Sequence, residues 1–435
     1  MIAGRRYLRA SELAVVEPPK AMWPAISIVM LCWLTVVLPT GVVSAMTLYL
    51  LALAAFSAIA ARQGLPPALH PVVWPLLVMI AIGLLAGAGA DRYLMLKDAW
   101  YVSNPGVLAA VGFVLARLVN DTPSLLRAFV LGGTGVAVGH LLWFLIHPEL
   151  LKLQATQIRS ISGTGYYAAG LALLILVAHW RLWRTELRLG PWLGSACLLL
   201  CTASVVLSFS RTLLMVMVVG ALGVFGLFSR REWLRVGGLL VVLGLLMWLL
   251  PQVVDTESWQ ARSSFLGKLA RSAQELVPTE RMSLAEINDN WRGYETARAV
   301  ATWRQGQPWQ WLFGQGFGAQ VDLGLFQNLS RNPRDAVRFI PIFHNGYVFV
   351  LVKTGLVGLI LYLGMIISLY RSGRRLAGAE QDSRQRRLGR LLQTCAVVLL
   401  VTTWVIAGAF NKFDLAAFML MIGAMLAALD ERARA

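Results

Sequence analysis

Charge is what this 435-residue sequence has least of: Asp, Glu, Lys and Arg make up 14% of it, where a soluble domain carries about 25%. With 57% of its residues hydrophobic, the chain has to bury much of its surface in lipid rather than around one water-facing core. Cysteine is also scarce. Cys32, Cys197, Cys201 and Cys395 are the only four, all in apolar runs, so neither a disulfide framework nor a metal-ligand spacing is present. Acidic residues are few, 22 against 39 Lys and Arg, giving a net charge of +17. In a soluble protein that excess would point to nucleic acid. In an apolar chain it is mostly a topology signal plus attraction to anionic lipid, so membrane lipids are the expected partner and nucleic acid is not.

Long apolar runs recur from Ala21 onward, and a helix needs about 20 such residues to cross the hydrocarbon core. Twelve spans are expected, at 22–38, 43–60, 72–89, 99–118, 125–146, 165–180, 192–209, 212–228, 234–251, 345–370, 391–408 and 413–429. Continuous runs such as Val236 to Leu250 exclude the alternating pattern of a membrane barrel. The expected fold is therefore an all-α polytopic membrane protein. It divides into helices one to nine (1–251), a large loop (252–341) and helices ten to twelve (342–435). The first span has no convincing small-residue cleavage site and follows Arg5, Arg6, Arg9 and Lys20, so it is expected to stay as a span rather than be removed as a signal peptide.

Basic residues orient the bundle. On the N-terminal side 22 Lys and Arg gather, among them Arg117, Arg188 and seven between Arg371 and Arg390, whereas the opposite short loops hold six: Arg92, Lys97, Lys152, Arg159, Arg211 and Lys412. Both termini are thus expected on the cytoplasmic side, with the long loop outside. The ten basic residues of Gln252 to Ile340 do not weaken this, because long loops translocate largely regardless of charge.

That loop is far longer than ordinary connections, and Trp259, Trp291, Trp303, Trp309 and Trp311 argue for order within it. Ser283 and Glu286 form a capping box for a helix from Leu284 to about Arg304, with Leu284, Ile287, Trp291 and Tyr294 on one face and Gly306 and Pro308 stopping it. The piece Ser263 to Glu275 reads either as a helix on the membrane surface or as an ordinary packed helix. Gly314-Gln315-Gly316-Phe317-Gly318 is expected to form a turn, since a phosphate-cradling loop would follow a strand. No internal repeat is evident, nor are the interrupted spans of a transporter midplane site.

Of the five histidines, His70 is placed in a cytoplasmic loop, His140 within a span, and His147 and His179 near span ends. His344 differs: in Phe343-His344-Asn345-Gly346-Tyr347 it opens the tenth span directly after the long loop. A neutral imidazole there suits activation of a hydroxyl near pH 7, although an interfacial His taken alone is more often a polar helix start. Arg211, after Ser208-Phe209-Ser210, reads either as an anion contact or as a side chain snorkelling to the headgroups. Arg292, in Trp291-Arg292-Gly293-Tyr294-Glu295, reads as an anion contact, a solvated residue or a partner of Glu295. Two guanidinium forks near a His would suit a diphosphate.

Twelve spans, a long external loop between the ninth and tenth, Ser-x-Ser-Arg opening span eight, the Trp-Arg-Gly-Tyr helix and His-Asn-Gly-Tyr opening span ten together resemble the O-antigen ligase family. That family lies within a broader group that includes O-antigen polymerases and protein O-oligosaccharyltransferases. The resemblance implies transfer of a polysaccharide from undecaprenyl diphosphate to a sugar hydroxyl of lipid A-core, with inversion and with no metal, nucleotide sugar or other cofactor. Residue by residue, it implies that His344 is the general base and that Arg211 and Arg292 bind the diphosphate. Arg159, in Arg-Ser-Ile-Ser-Gly, is a looser match to the same role. A polymerase or protein glycosylase would share this pattern and differ in acceptor. A lipid-linked glycan transporter would instead depend on polar residues inside the spans, for which Lys353, His140 and Asp414 are the main candidates.

Overall fold

The computed structural model of the chain describes residues 25–30, 32, 66–152, 158, 166–180, 182–227, 286–287, 290–328, 336–378, 383–410 and 415–434. Apolar runs have no water to bond their backbone in a bilayer, and each closes its hydrogen bonds within a helix. In chain order these are α1 (His70–Ala86), α2 (Arg92–Val119), α3 (Thr122–Ile146), α4 (Tyr166–Ala178), α5 (Pro191–Leu207) and α6 (Arg211–Val224). After the loop come α9 (Gly346–Ala377), α10 (Ser383–Ile406) and α11 (Ala416–Arg434).

Five described stretches are long and apolar enough to cross a membrane: Pro67–Ala86, Arg92–Val119, Thr122–Ile146, Gly346–Ala377 and Ser383–Ile406. Tyr166–Ala178, Pro191–Leu207, Arg211–Val224 and Ala416–Asp430 are shorter apolar helices at the expected places of further spans. Of the other expected spans, 22–38 is described only at 25–30 and 32, while 43–60 and 234–251 lie outside the described residues, as do Ser263 to Glu275 and Ser283.

Several helices overrun the apolar stretch that announces them. α2 starts at Arg92, seven residues before 99, because Asp91 caps it by accepting from the backbone N–H of Leu94 at 2.9 Å. α9 runs on to Ala377 and α10 begins at Ser383. Hydropathy marks the lipid-compatible part of a helix, whereas caps set its start. His70 likewise opens α1 rather than lying in the loop before it.

Small residues bring the helices into contact. A Cβ on Gly112 would overlap the backbone of Leu420, and one on Gly423 would overlap that of Ala109, so α2 and α11 touch along their length. Gly133 meets Ala168 between α3 and α4, and Gly373 meets Gly389 between α9 and α10.

These contacts also show which ends lie together. Gly226, just past α6, abuts the Arg390 side chain near the start of α10, and the N–H of Ala407 at the end of α10 donates to the carbonyl of His344. The starts of α6 and α9 therefore share one end of the bundle with the finish of α10. At the opposite end, ion pairs join Arg117 to Asp430, Arg188 to Asp121 and Arg387 to Glu186.

The tenth expected span is not continuous. Gly355 has φ 66° and ψ −165° inside α9, so an interrupted helix is present where the sequence shows none. The interruption exists because the loop enters here. Gln315 N–H donates to Val352 O at 2.8 Å, and a Cβ on Gly355 would overlap the carbonyl of Leu312. Gly355→Ala combines a left-handed φ with that overlap and is expected to destabilise the protein by at least the roughly 1–3 kcal/mol typical of backbone strain. Thermal unfolding in detergent would register the loss, and an unchanged midpoint would contradict it.

The Gly314–Gly318 run is a turn, with Gly314, Gly316 and Gly318 all at φ between 80° and 87°. Phe317 is fully buried, its N–H donates to Gly83 O of α1 at 2.8 Å, and its ring lies where a Cβ on Gly83 would be. Gly318 N–H donates to Asp98 Oδ2 at 2.8 Å, and Lys353 Nζ meets the same oxygen at 2.5 Å while also donating to Ala319 O. Asp98 and Lys353 have no exposed surface, so a buried ion pair rivets α2, α9 and the loop together.

The described part of the loop is helical, as expected, but it also holds a β-hairpin that nothing in its hydropathy announces. α7 (Trp291–Arg304) covers most of the expected helix, and of the expected stripe Tyr294 within it and Ile287 ahead of it are buried while Trp291 is half-buried. α8 (Pro308–Phe313) follows, then β1 (Val321–Asn328) and β2 (Ala336–Ile340) pair antiparallel with a bulge between Asp322 and Gln327. Val321 and Ile340, paired across the hairpin, are buried. On its open side Arg338 grips Asp322 through two hydrogen bonds of 2.7 and 2.8 Å. Those bonds, helped by the Gly324 N–H, hold the Asp322 carboxyl well below the usual carboxylate range.

Candidate active site

His344 and Glu295 meet at the loop end of the bundle. Glu295 lies on α7, one turn after Arg292, and is 3% exposed. Its Oε2 accepts the backbone N–H of His344 at 3.0 Å and lies 2.8 Å from His344 Nδ1. Against a carboxylate oxygen, which only accepts, Nδ1 is the donor of this contact, and Nε2 is the ring nitrogen left to face another partner. The His344 side chain is 46% exposed, which leaves the ring open to a molecule arriving from outside the bundle.

Local structure makes this pair rigid. Asn345 caps α9, its Oδ1 accepting from the N–H groups of Tyr347 and Val348 at 3.1 and 3.2 Å. Phe343 is buried beside Phe349, and the His344 carbonyl is held by Ala407. On the other side α7 is fastened to the hairpin: Tyr294 OH donates to Leu323 O at 2.5 Å, and Arg298 Nε donates to Asp322 O at 2.9 Å. The hairpin ends at Ile340, so the sheet whose first strand holds α7 leads, through its second strand, straight into the His344 segment.

Arg292 is half-buried and sits at i−3 from Glu295, where side chains are neighbours with about 5–6 Å between Cβ atoms. It thus lies one turn from Glu295 on the same helix. Arg211 is the first residue of α6, half-buried, at the same end of the bundle as His344. The serines before it shape its turn: Ser210 caps α6 by accepting from Leu213 N–H at 3.3 Å, and Ser208 Oγ accepts from Ser210 N–H at 3.2 Å. Phe209 between them has φ 47°. Arg159 lies outside the described residues.

The residue that sequence reasoning missed is Glu295, considered only as a partner for Arg292. The available signal was its spacing, three residues after that arginine on a helix whose apolar stripe points inward. The remaining histidines have other surroundings. His140 is buried with Nδ1 2.9 Å from Ser204 Oγ, His147 Nδ1 lies 3.0 Å from Glu149, and His179 Nε2 lies 3.6 Å from Glu186. Lys353 is engaged by Asp98, and Asp414 lies outside the described residues. Among the described residues no three His, Cys, Asp or Glu side chains converge as metal ligands would.

A bundle of spanning helices, crowned by a folded loop that holds a histidine against a buried carboxylate, defines a multi-pass membrane protein with a half-exposed His–Glu pair at one end of its bundle. Residues 196–363 match the family model for O-antigen ligase, a match that supports the O-antigen ligase family and a ligase- or polymerase-type glycosyltransferase role. The matched stretch includes Arg211, Arg292, Glu295, His344 and Lys353. No curated protein matches the chain.

Proposed function

We propose that this protein is a lipopolysaccharide O-antigen ligase of the bacterial inner membrane. It transfers O-antigen polysaccharide from undecaprenyl diphosphate to a sugar hydroxyl of lipid A-core on the periplasmic face, by metal-independent inverting transfer. The observation that carries this reading is the His344–Glu295 contact, which leaves Nε2 as the proton acceptor on an exposed ring.

The chemistry follows in one displacement. The acceptor hydroxyl gives its proton to His344 Nε2 as its oxygen bonds the anomeric carbon. The bond from that carbon to the diphosphate breaks on the opposite face, and undecaprenyl diphosphate leaves with the electron pair. The imidazolium so formed lies against the Glu295 carboxylate, which stabilises it. A diphosphate departs as a stabilised anion, so positioned positive charge serves it better than an acid, and Arg211 and Arg292 supply that charge. Arg159 is assigned a secondary place in the same site. Energy comes from the lipid diphosphate bond.

Within this reading the loop 252–341 is the catalytic cover, flanked by the membrane parts 1–251 and 342–435, and both termini are cytoplasmic. The ion pairs of Arg117, Arg188 and Arg387 at the end opposite His344 support that orientation through the positive-inside rule. A transporter reading is disfavoured because Lys353, the buried cation it would use, is already consumed by Asp98, Ala319 and the loop. An O-antigen polymerase or protein O-oligosaccharyltransferase shares the chemistry and differs in acceptor. Purified protein given undecaprenyl-diphosphate-linked glycan should glycosylate lipid A-core with inverted anomeric configuration. Exclusive elongation of the glycan, or modification of a protein, would assign the same site to one of those relatives.

A further inference from the structure

α8 presents an unusual surface for a segment of an external loop. Its sequence, Pro-Trp-Gln-Trp-Leu-Phe, carries no charge, and none of its residues is buried. Trp309, Trp311, Leu312 and Phe313 are each between 42% and 49% exposed. A water-facing helix would place polar residues on its open side, and a contiguous apolar patch marks an interaction surface.

The position of α8 identifies the occupant. Leu312 and Gly314 lie against Gly355 in the interruption of α9, and Phe317, just beyond, lies against Gly83 near the end of α1. From 356 to 370 α9 is continuous helix, about 22 Å long at 1.5 Å per residue, before Arg371 begins the basic end. With a hydrocarbon core of about 30 Å, Gly355 lies about 8 Å inside its far boundary. α8 therefore sits level with the outer acyl chains and headgroups, where Trp side chains concentrate. α8 packs against α1 and α9, whose own exposed apolar residues include Leu85 of α1 (79% exposed) and Leu356 and Ile360 of α9.

The polar groups of α8 are arranged to match. Gln307 and Gln310 form a reciprocal capping box, with Gln307 N–H donating to Gln310 Oε1 at 2.8 Å, and Gly314 N–H closes the far end on Gln310 O. Pro308 contributes no N–H, and Trp311 Nε1 donates to Arg304 O at 3.3 Å. Internal satisfaction of this kind is what a segment needs where water is absent.

We propose that α8 is a re-entrant interfacial helix whose exposed face is covered by phospholipid acyl chains of the outer leaflet, and that it seats the loop domain at a fixed depth in the membrane. Because α7 leads directly into α8, this contact sets the height of Glu295 and His344 above the bilayer. The proposal rests on the membrane reading of α1 and α9, and the test separates the two. The full-length protein is placed in lipid nanodiscs, one copy per disc, containing phosphatidylcholine with a diazirine on its acyl chain. After irradiation, peptides are mapped by mass spectrometry. Adducts on 309–313 at yields comparable to those on Leu85 and Ile360 are expected. Adducts on Leu85 and Ile360 with none on 309–313 would overturn the proposal while leaving the spans intact, and absence from all of these positions would overturn both.

Discussion

Glu295→Gln is expected to reduce glycosyl transfer by a factor on the order of 10² to 10⁴, the range in which a general base and its orienting carboxylate operate. The substitution is close to isosteric. The glutamine carbonyl can still accept from the backbone N–H and the Nδ1–H of His344, now at 3.0 and 2.8 Å from Glu295 Oε2, so the ring stays oriented and the protein folds. What disappears is the negative charge that stabilises the imidazolium after proton transfer. The loss should therefore fall on kcat, with KM for the lipid donor little changed, since the diphosphate is proposed to be bound by Arg211 and Arg292 and not by Glu295. A variant with normal kcat would remove Glu295 from the reaction and reduce it to a fastening of α7.

The second large effect concerns stability. Lys353→Met should destabilise the fold by about 3–5 kcal/mol, the cost of leaving one partner of a buried ion pair uncompensated. Asp98 has no exposed surface and would keep only the Gly318 N–H among its contacts described above. The double variant Asp98→Leu/Lys353→Met removes both charges and should recover most of the loss, because an apolar pair of similar volume is often as stable as the ion pair. Thermal unfolding of the three variants in detergent decides this. Equal destabilisation by the single and double variants would show that the loop is held by packing of Phe317 and not by the charge pair.

These contacts mark where the sequence stops being legible. Spans such as Thr122–Ile146 announce themselves because lipid compatibility is a local property of twenty consecutive residues. The turn at Gly314–Gly318 is equally local, since its three glycines adopt φ values that other residues avoid. The inward face of α7 was also readable, and Tyr294 is buried as its periodicity requires. The Asp98–Lys353 pair was not, because its members are 255 positions apart and Asp98 falls just outside the apolar run that marks its helix. The break at Gly355 followed from the same blindness: its cause is a loop segment wedged against it, and not any local composition.

The candidate site divides in the same way. His344 stood out because a histidine at the start of a span, directly after a long loop, is chemically conspicuous, and the family resemblance singled out Arg211 and Arg292. Glu295 was visible only as a neighbour of Arg292, since nothing local says that an acidic residue on a loop helix will be buried against a histidine 49 positions later. The hairpin that carries β2 into the His344 segment has short, uneven strands whose outward residues include Phe326 and Phe339, so the polar and apolar alternation that marks a strand is lost.

The central claim is that His344 takes the acceptor proton, and the most direct test is His344→Ala in purified, reconstituted protein. Transfer from undecaprenyl-diphosphate-linked glycan to lipid A-core is measured beside wild type, after confirming equal insertion. The rate is expected to fall on the order of 10²-fold or more with donor binding retained. Transfer at the wild-type rate would contradict the assignment.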